Sequence, residues 1–425
     1  MKLLWLKTDL LHPIDRGGKI RTYYMLRELK KLHHVTYLAL DDGTSASNAV
    51  ELAEEYCHEL IRVPHRNPIK FSSQFFAGLA KNVLSPLPYA VEKYRSLEFS
   101  RRLERENMKA DLVVCDFLFP SVNVPERLPR PTLLFQHNVE AVIWRRHADT
   151  QTRRLARLYF REQWRRMKVF ERSACRKFDA IVTVSAQDRS IMEYEYGAPL
   201  VRHIPTGVDT GYFCPSRAVE PEPYQLVFSG SMDWLPNDDA IKFFAREILP
   251  RIRASVPAVT ITIVGRNPLP GVKALAREHP FIRVTGAVED VRSYIEQASV
   301  YVIPLRIGGG TRLKVFEAMA MGKPIVSTSI GVEGLPVADG TDVLIADEPQ
   351  AFAEAVLRLV RDRRLARRIG MAAASKVRAQ FGWQPVAESF LKACDLAIKN
   401  AGRRCQQCEL STISTEPREQ FDHQS

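Results

Sequence analysis

Residues 308–324 read GGGTRLKVFEAMAMGKP, and this stretch decides how the second half of the chain folds. Three glycines follow an apolar run, and the pattern after them predicts a helix that begins at Thr311. Arg312 and Lys314 lie in its first turn, where unpaired backbone amides already create a partial positive charge. Two cations are favourable there only when an anion binds, and a glycine loop before a helix is typical of phosphate sites. The stretch therefore predicts a site for a nucleoside diphosphate.

Glu317, further along the same helix, has two interpretations. A carboxylate in this position can accept two hydrogen bonds from a ribose diol. Alternatively, Glu317 pairs with Lys314 three residues earlier, and the glycine loop is a solvated loop without a ligand. An arginine such as Arg312 can hold a phosphate group through two parallel hydrogen bonds, which favours the first interpretation.

Outward from this stretch, short apolar runs alternate with longer amphipathic runs along the whole chain. This alternation is typical of parallel sheets covered by helices on both faces, so we expect a doubly wound α/β fold. The predicted strands of the first half are 2–8, 35–39, 60–64, 111–115, 132–137, 180–185 and 201–205. Those of the second half are 225–229, 259–264, 282–285, 300–304, 324–328 and 343–346. The clearest helical patterns cover 19–32, 96–108 and about 150–177.

A chain of 425 residues is too long for one ordinary domain. The alternation restarts after residue 206, beyond which lies a Pro- and Glu-rich segment without periodicity. We therefore expect a first domain over 1–206, a linker over 207–224 and a second domain over 225–382. A terminal helix over 384–400 and a polar, disordered tail over 403–425 complete the prediction.

The composition, 45% hydrophobic and 26% charged residues, is that of an ordinary globular protein. Seven scattered cysteines favour a reducing cytoplasm over a disulfide framework, and the Cys405-x-x-Cys408 pair has no partner pair with which to hold a metal. The N-terminal apolar run is interrupted by Lys7 and Asp9 before it reaches signal-peptide length. No run approaches the ~18 apolar residues of a membrane span. We therefore expect a cytoplasmic protein.

The net charge of +12 is concentrated in residues 145–177, which carry twelve Arg or Lys and three Asp or Glu. Such a stretch is typical of contact with nucleic acid, contact with an anionic membrane, or a solvated helix face. No nucleic-acid recognition motif accompanies it, which argues against nucleic acid. The aromatic, amphipathic segment 71–84 suggests, together with the basic stretch, a peripheral position on the inner face of a membrane.

Further candidate residues follow other predicted strands. The carboxyl ends of parallel strands form the ligand side of a doubly wound sheet. Gly17 and Gly18 precede the first helix and repeat the pattern of glycines before a helix start. His137 ends the fifth strand and could donate a hydrogen bond or shuttle a proton. Each feature is also common without a ligand, as a turn glycine or a packed histidine.

In the second half, the strand-end turns contain Gly265, Arg266 and Val288. Backbone groups in such turns can read a nucleobase, although a glycine after a strand is also ordinary turn chemistry.

Five motifs in a fixed order resemble the retaining glycosyltransferases of family four (glycosyl transferases group 1), which have the GT-B fold. The motifs are IPTGVD at 204–209, VFSGSM at 227–232, ITIVG at 261–265, VTGAVEDV at 284–291 and RIGGGTRLKVFEAMAMGKPIVST at 306–328. The last is the most specific, with a Glu before Ala-Met-Ala and then Gly-x-Pro leading into a strand. The resemblance covers residues 1–400, strongly in the second half and loosely in the first.

The resemblance implies two Rossmann-like domains that face each other across a cleft, with the last helix crossing back to complete the first domain. It implies a nucleotide sugar in the second domain, with Glu317 on the ribose hydroxyls. The residues implied to touch the transferred sugar or the diphosphate are Gly17, Gly18, His137, Gly309, Gly310 and Thr311. No metal and no other cofactor is implied, because cations and amides neutralise the diphosphate.

Three positions depart from the family pattern. Gly309 stands where members usually carry a first Glu that contacts the sugar. The strand that ends at Gly230 is followed by SMDWLPND, without the usual Arg and Lys. We expect Arg312, Lys314 and Arg266 to supply that charge. Thr206 stands where Asn is common.

The resemblance thus implies transfer of a sugar from a nucleoside-diphosphate sugar to an acceptor hydroxyl, with the anomeric configuration retained. The acceptor would be a sugar or a lipid-linked molecule in the synthesis of envelope polysaccharide or glycolipid. One alternative is a nucleotide-sugar-binding protein without transferase activity, and another is a nucleotide-sugar epimerase on the same fold.

Overall fold

The computed structural model describes residues 1–14, 17–68, 72–151, 153–215, 220–307 and 313–413, without the side chains of Thr150 and 405–413. The chain divides into two compact units. The first comprises Met1–Pro205 and the segment from Ala387 onward, and the second comprises Thr206–Val386.

The first unit is built on a parallel sheet of seven strands within the described residues, in the order β3-β2-β1-β4-β5-β6-β7. The strands are β1 (Lys2–Lys7), β2 (His34–Asp41), β3 (Glu59–Pro64), β4 (Leu112–Asp116), β5 (Thr132–Gln136), β6 (Ala180–Thr183) and β7 (Val201–His203). The helices are α1 (Gly17–Lys30), α2 (Ser73–Asn82), α3 (Tyr89–Glu92), α4 (Leu97–Asn107), α5 (Glu140–Thr150), α6 (Arg154–Lys177) and α7 (Ala186–Ser190).

The second unit carries a parallel sheet of six described strands in the order β10-β9-β8-β11-β12-β13. The strands are β8 (Gln225–Ser229), β9 (Thr260–Val264), β10 (Ile282–Gly286), β11 (Val300–Ile303), β12 (Ile325–Ser327) and β13 (Leu344–Ile345). The helices are α8 (Leu235–Phe243), α9 (Leu249–Ser255), α10 (Pro270–Glu278), α11 (Arg292–Gln297), α12 (Leu313–Ala320), α13 (Pro349–Arg361), α14 (Arg363–Gln380) and α15 (Trp383–Ile413), of which α15 continues into the first unit.

Burial explains why the strands were visible in the sequence. Every residue of β4, β5, β6, β8 and β11 is buried, so these strands read as continuous apolar runs rather than alternating ones. The strand order reverses between β1 and β4 in the first sheet and between β8 and β11 in the second. Ligands bind doubly wound sheets at such reversal points, beyond the carboxyl ends of the strands. Each unit therefore has one preferred place for a ligand.

The helix predicted over about 150–177 is observed as α6, which begins at Arg154 and ends at Lys177. A further helix, α5, precedes it and ends at Thr150. The helical pattern of 140–150 was missed because its N-terminus depends on a distant residue. Glu171 of α6 accepts hydrogen bonds from the backbone amides of Glu140 and Ala141, at 2.8 and 3.1 Å.

The expected linker over 207–224 is packed against the second unit in its described part. Val208 donates its amide to the carbonyl oxygen of Phe381 at 2.8 Å and is buried. The Arg292 guanidinium lies 3.8 Å from the centre of the Tyr212 ring. Proline and glutamate content predicted a free connection, but Gly207 and Val208 are buried, whereas 214–215 and 220–224 are exposed.

The terminal helix is longer than predicted. α15 continues past Arg403, where a disordered tail was expected, to Ile413. Gly402 does not interrupt it, and the side chains of Asn400 and Arg404 bond the carbonyl oxygen and the carboxylate of Asp179, at 2.8 and 2.9 Å. Among the residues described, no helix is long and apolar enough to cross a membrane.

A tight glycine contact fixes the end of α12. Gly322, at a φ of +67°, closes the helix: its amide bonds the Met319 carbonyl oxygen at 2.9 Å, and the Lys323 amide bonds that of Ala318 at 3.0 Å. A Cβ added to Gly370 of α14 would lie 2.0 Å from the carbonyl oxygen of Gly322. The two helices therefore approach more closely than any larger residue allows.

We expect Gly370→Ala to lower the free energy of unfolding by about 1–3 kcal/mol or more, because the added methyl group forces α14 away from α12. Gly402→Ala is the matched control, since Gly402 is also helical and nothing lies within 4 Å of its added Cβ. The control should be neutral or stabilising by about 0.5–1 kcal/mol. Urea denaturation followed by circular dichroism measures both, and equal stability of the two variants would contradict the close contact.

Candidate functional site

In the second unit, the turns that follow β8 and β9 are in close backbone contact. The Gly230 amide bonds the Val264 carbonyl oxygen at 2.9 Å, and a Cβ on Gly265 would lie 1.7 Å from the carbonyl oxygen of Gly230. Only glycine fits at position 265. The two predicted glycines therefore lie together beside the point where the strand order of this sheet reverses.

Two predicted cations flank this glycine turn. The Lys314 Nζ lies 2.8 Å from the position of an added Cβ on Gly230, and it donates to Asn237 Oδ1 at 2.6 Å. Arg266 donates through Nε to Ser231 Oγ at 3.1 Å. The turn after β8 has no basic residue of its own. Its positive charge comes from Arg266, which follows β9, and from Lys314 of α12, and this arrangement suits an anionic group.

Glu317 lies on α12, one helical turn beyond Lys314. Burial raises the pKa of Glu317 to about 7, and the charge of Lys314 opposes this shift. The carboxyl group therefore changes its charge close to neutral pH. A ligand that donates hydrogen bonds to it would favour the ionised form.

Several predicted residues cannot be compared with this geometry. Gly309, Gly310, Thr311 and Arg312 lie outside the described residues. Val288 is half-buried and packs against the core of the second unit.

In the first unit, a buried carboxylate lies where the strand order reverses. Asp116 ends β4 and is fully buried. Its Oδ2 accepts hydrogen bonds from Trp5 Nε1, Lys7 Nζ and Thr22 Oγ1, at 2.9, 2.7 and 2.6 Å. Burial alone would raise the pKa of Asp116. The positive charge of Lys7 and the contact with His137 outweigh this effect and hold the pKa well below its usual range. Asp116 is therefore ionised at neutral pH.

His137 follows β5 and contacts this carboxylate. Its Nε2 lies 2.8 Å from Asp116 Oδ1, and its ring stacks on Phe117 with the ring centres 3.9 Å apart. Burial lowers the pKa of His137 to about 3, with the charges of Arg21 and Lys7 adding to the shift. The imidazole is therefore neutral, which argues against the proton shuttle that the sequence suggested. We assign its proton to Nε2, because Asp116 accepts there, and this leaves Nδ1 as an acceptor.

The glycine pair of the first unit forms the start of α1, two residues before the predicted Lys19. A Cβ on Gly18 would lie 2.8 Å from the Phe117 ring and 3.9 Å from His137 Nδ1. The backbone of Gly18 therefore approaches the histidine closely. Gly17 precedes it in the same first turn.

Sequence reasoning missed three of the residues that build these arrangements. Asp116 and Lys7 end buried strands, a position that could have identified both as candidates. Asn237, which orients Lys314, stands within the segment that was described only as lacking a cation. Within the described part of the chain, no group of three or more His, Cys, Asp or Glu side chains is arranged to hold a metal ion.

Family models match both halves of the chain. Residues 16–212 match the model described as Glycosyltransferase Family 4, and residues 223–362 match the model described as Glycosyl transferases group 1. The predicted fold class, two Rossmann-like parallel-sheet domains of the GT-B type, is confirmed.

Three known proteins illustrate the similarity. A protein of the cps region of Klebsiella pneumoniae is 22% identical over 92% of this chain and 99% of its own length. The GDP-mannose-dependent alpha-(1-6)-phosphatidylinositol monomannoside mannosyltransferase of Mycobacterium tuberculosis is 26% identical over 66% of this chain and 82% of its own. The structure of Anabaena HepE in complex with UDP superposes with a TM-score of 0.65 at 13% identity, covering 93% of this chain and 100% of HepE.

The first match lies mostly in the first unit, and the second match lies within the second unit. The chain therefore contains a region similar to Glycosyltransferase Family 4, followed by a region similar to Glycosyl transferases group 1.

Proposed function

We propose that this protein is a retaining glycosyltransferase that moves a sugar from a nucleoside-diphosphate sugar to an acceptor hydroxyl. The observation that carries the proposal is the pair of cations, Lys314 and Arg266, around the glycine turn at Gly230. A diphosphate bound there would meet both charges. Glu317 on the same helix would then accept hydrogen bonds from the ribose hydroxyls.

The chemistry requires that negative charge on the leaving diphosphate be stabilised. The bond between the anomeric carbon and the phosphate oxygen breaks, a bond to the acceptor oxygen forms on the same face, and the acceptor proton passes to the leaving phosphate. Lys314 and Arg266, together with Arg312, would stabilise the developing charge without a metal ion. Loss of one preorganised donor of this kind typically costs on the order of 10²–10³ in rate.

His137 would act by binding rather than by proton transfer. Its neutral ring has Nε2 2.8 Å from Asp116 Oδ1, and its Nδ1 is buried without a hydrogen-bond partner among the described residues, which leaves this atom as an unused acceptor. A hydroxyl group of the transferred sugar is a suitable donor. The adjacent Gly18 keeps this side of the ring free of a side chain.

The relatives support a role in the synthesis of polysaccharide or glycolipid. One relative belongs to a cps region, another transfers mannose from GDP-mannose to a phosphatidylinositol mannoside, and HepE binds UDP. These names span two donor bases, so the donor of this protein is to be found by experiment.

A nucleotide-sugar-binding protein without transferase activity is the second candidate, because Gly309 replaces the Glu that family members place near the sugar. Such a protein would bind a nucleotide but release no free nucleoside diphosphate in the presence of acceptor. An epimerase on this fold would release free sugar and would need no acceptor.

We expect one of UDP, GDP, ADP or dTDP to raise the melting temperature of the wild-type protein, because a ligand that binds only the folded state stabilises it. Glu317→Ala and Lys314→Ala should abolish that shift. Glu354→Ala and Lys242→Ala, which change a solvent-exposed Glu and a Lys that pairs with Asp238 in the same unit, are matched controls and should keep it. Differential scanning fluorimetry makes the measurement, and the absence of a shift with all four nucleotides would remove the proposal.

We further propose that the first unit contacts an anionic membrane through α6 and the end of α2. Arg161, Arg165 and Lys168 lie on the solvent face of α6, between the exposed Leu158 and Val169. This mixture of cationic and apolar side chains suits a lipid headgroup layer. A solvated face is the alternative.

Arg166, on the buried side of α6, joins this surface to α2. It donates to the carbonyl oxygens of Asn82 and Val83, at 2.6 and 3.0 Å. Val83 and Leu84 are 67% and 92% exposed, so they extend the apolar part of the same surface.

We expect the wild-type protein to float with vesicles that contain anionic lipid and not with neutral vesicles. The triple variant Arg161→Ala/Arg165→Ala/Lys168→Ala should lose most of this binding, since each basic residue near the surface contributes about 1 kcal/mol. The matched control is Arg364→Ala/Arg367→Ala/Arg368→Ala, which removes three exposed arginines from α14. Failure of the wild-type protein to float at low salt would contradict the proposal.

A further inference from the structure

Glu171 is a carboxylate in an unexpected place. It lies in the middle of the basic helix α6, and its side chain is fully buried. A buried charge is costly unless hydrogen bonds replace the lost water. Glu171 therefore requires donors from the surrounding chain.

Four donors meet this carboxylate. Its Oε1 accepts from Gln136 Nε2 and the Glu140 amide, both at 2.8 Å, and its Oε2 accepts from the Ala141 amide and Tyr196 Oη, both at 3.1 Å. Two of these donors are the first free amides of α5, where a negative charge is also favoured by the helix dipole.

The positions of the donors along the chain give the carboxylate a particular role. Gln136 immediately precedes His137, and Glu140 follows it after a short turn. Glu171 thus holds the histidine-bearing segment 136–141 from both sides. The hydrogen bonds fix the backbone on which the His137 ring contacts Asp116.

A second buried acid accompanies Glu171. Burial raises the pKa of Glu140 to about 8, and the charge of Glu171 adds to the shift, while a hydrogen bond from Asn138 opposes it. Burial raises the pKa of Glu171 to about 7, and its four donors oppose that shift. Because Glu171 has the donors, it is the member of the pair that carries the charge, and Glu140 keeps its proton.

We propose that Glu171 is a positioning residue that clamps the segment 136–141 and, through it, the sugar-binding orientation of His137. The inference rests on the proposed function for its kinetic readout, but the clamp itself can be tested without turnover.

The variant Glu171→Gln keeps the size of the side chain but points an amide group at backbone donors. We expect amide hydrogen exchange in 136–141 to become at least about tenfold faster, since loss of a buried hydrogen bond of ~1.4 kcal/mol corresponds to that factor. With turnover established, kcat/KM for the nucleotide sugar should fall at least about tenfold, while the melting shift induced by the free nucleoside diphosphate, which lacks the sugar, stays unchanged. A residue that merely supports the fold would not separate the sugar from the nucleotide in this way.

Glu140→Gln is the matched control, because glutamine resembles the protonated acid. It should leave exchange in 136–141 and kcat/KM unchanged. Tyr196→Phe removes only one of the four donors to Glu171, and it replaces Glu171→Gln as the test variant if that protein does not fold. It should accelerate amide hydrogen exchange in 136–141 by a smaller factor than Glu171→Gln. Wild-type exchange in 136–141 for Glu171→Gln, or for Tyr196→Phe in its place, would overturn the proposal. If the wild-type protein binds no nucleotide, the proposed function fails, and the exchange measurement alone decides the clamp.

The acid pair also predicts a pH dependence. The groups facing it are Asn138, Tyr196 and Cys175, and burial raises the pKa of both Tyr196 and Cys175, so neither carries charge near neutral pH. A carboxyl whose pKa is raised from its ordinary value of 4.5 to about 8 keeps its proton in the folded state while the unfolded chain releases it, so its contribution to stability is lost as pH rises from about 4.5 through 8. The melting temperature should therefore fall between pH 5 and 8 in the wild-type protein by more than in Glu140→Gln. Equal pH dependence in the two proteins would show that Glu140 is not the protonated partner.

Discussion

A negative charge buried at the centre of the first sheet must be met by donors, and much of the first unit is arranged to meet it. Asp116 accepts hydrogen bonds from Trp5 and Lys7 of β1 and from Thr22 of α1. His137, which follows β5, contacts the same carboxylate. Removal of any partner would leave charge or polarity unpaired in a place without water. Segments that are distant in the sequence are thereby held in one relative position, at the point where the strand order reverses.

The second unit shows the opposite case, in which positive charge is brought to a turn. Its strand-end turn at Gly230 has no basic side chain, yet positive charge reaches it from Lys314 and Arg266 on neighbouring elements. Asn237 holds the lysine in place by accepting a hydrogen bond from it. Charge at a site therefore depends on which elements converge there, and a missing residue in a local motif need not mean a missing charge in the fold.

The sequence predicts secondary structure well where burial alone determines it. Strands buried on both faces are continuous apolar runs, so each predicted run overlaps an observed strand. Prediction failed where distant residues decide the outcome. The start of α5 depends on Glu171, and the packing of the expected linker depends on contacts such as that between Val208 and Phe381. Which of many acids becomes buried, as Asp116 does, follows from the tertiary fold and cannot be derived from local pattern.

The close contact between Gly370 and Gly322 has a consequence for how donor preference changes among related proteins. α12 is closed by a glycine turn and supported from behind by α14, so Glu317 cannot shift along or away from the sheet without breaking that support. The carboxylate that we propose to bind the ribose thus behaves as a fixed reference point. Evolution of a new donor base or sugar would then proceed through the variable turns after the strands, while the helix that carries the carboxylate stays in register.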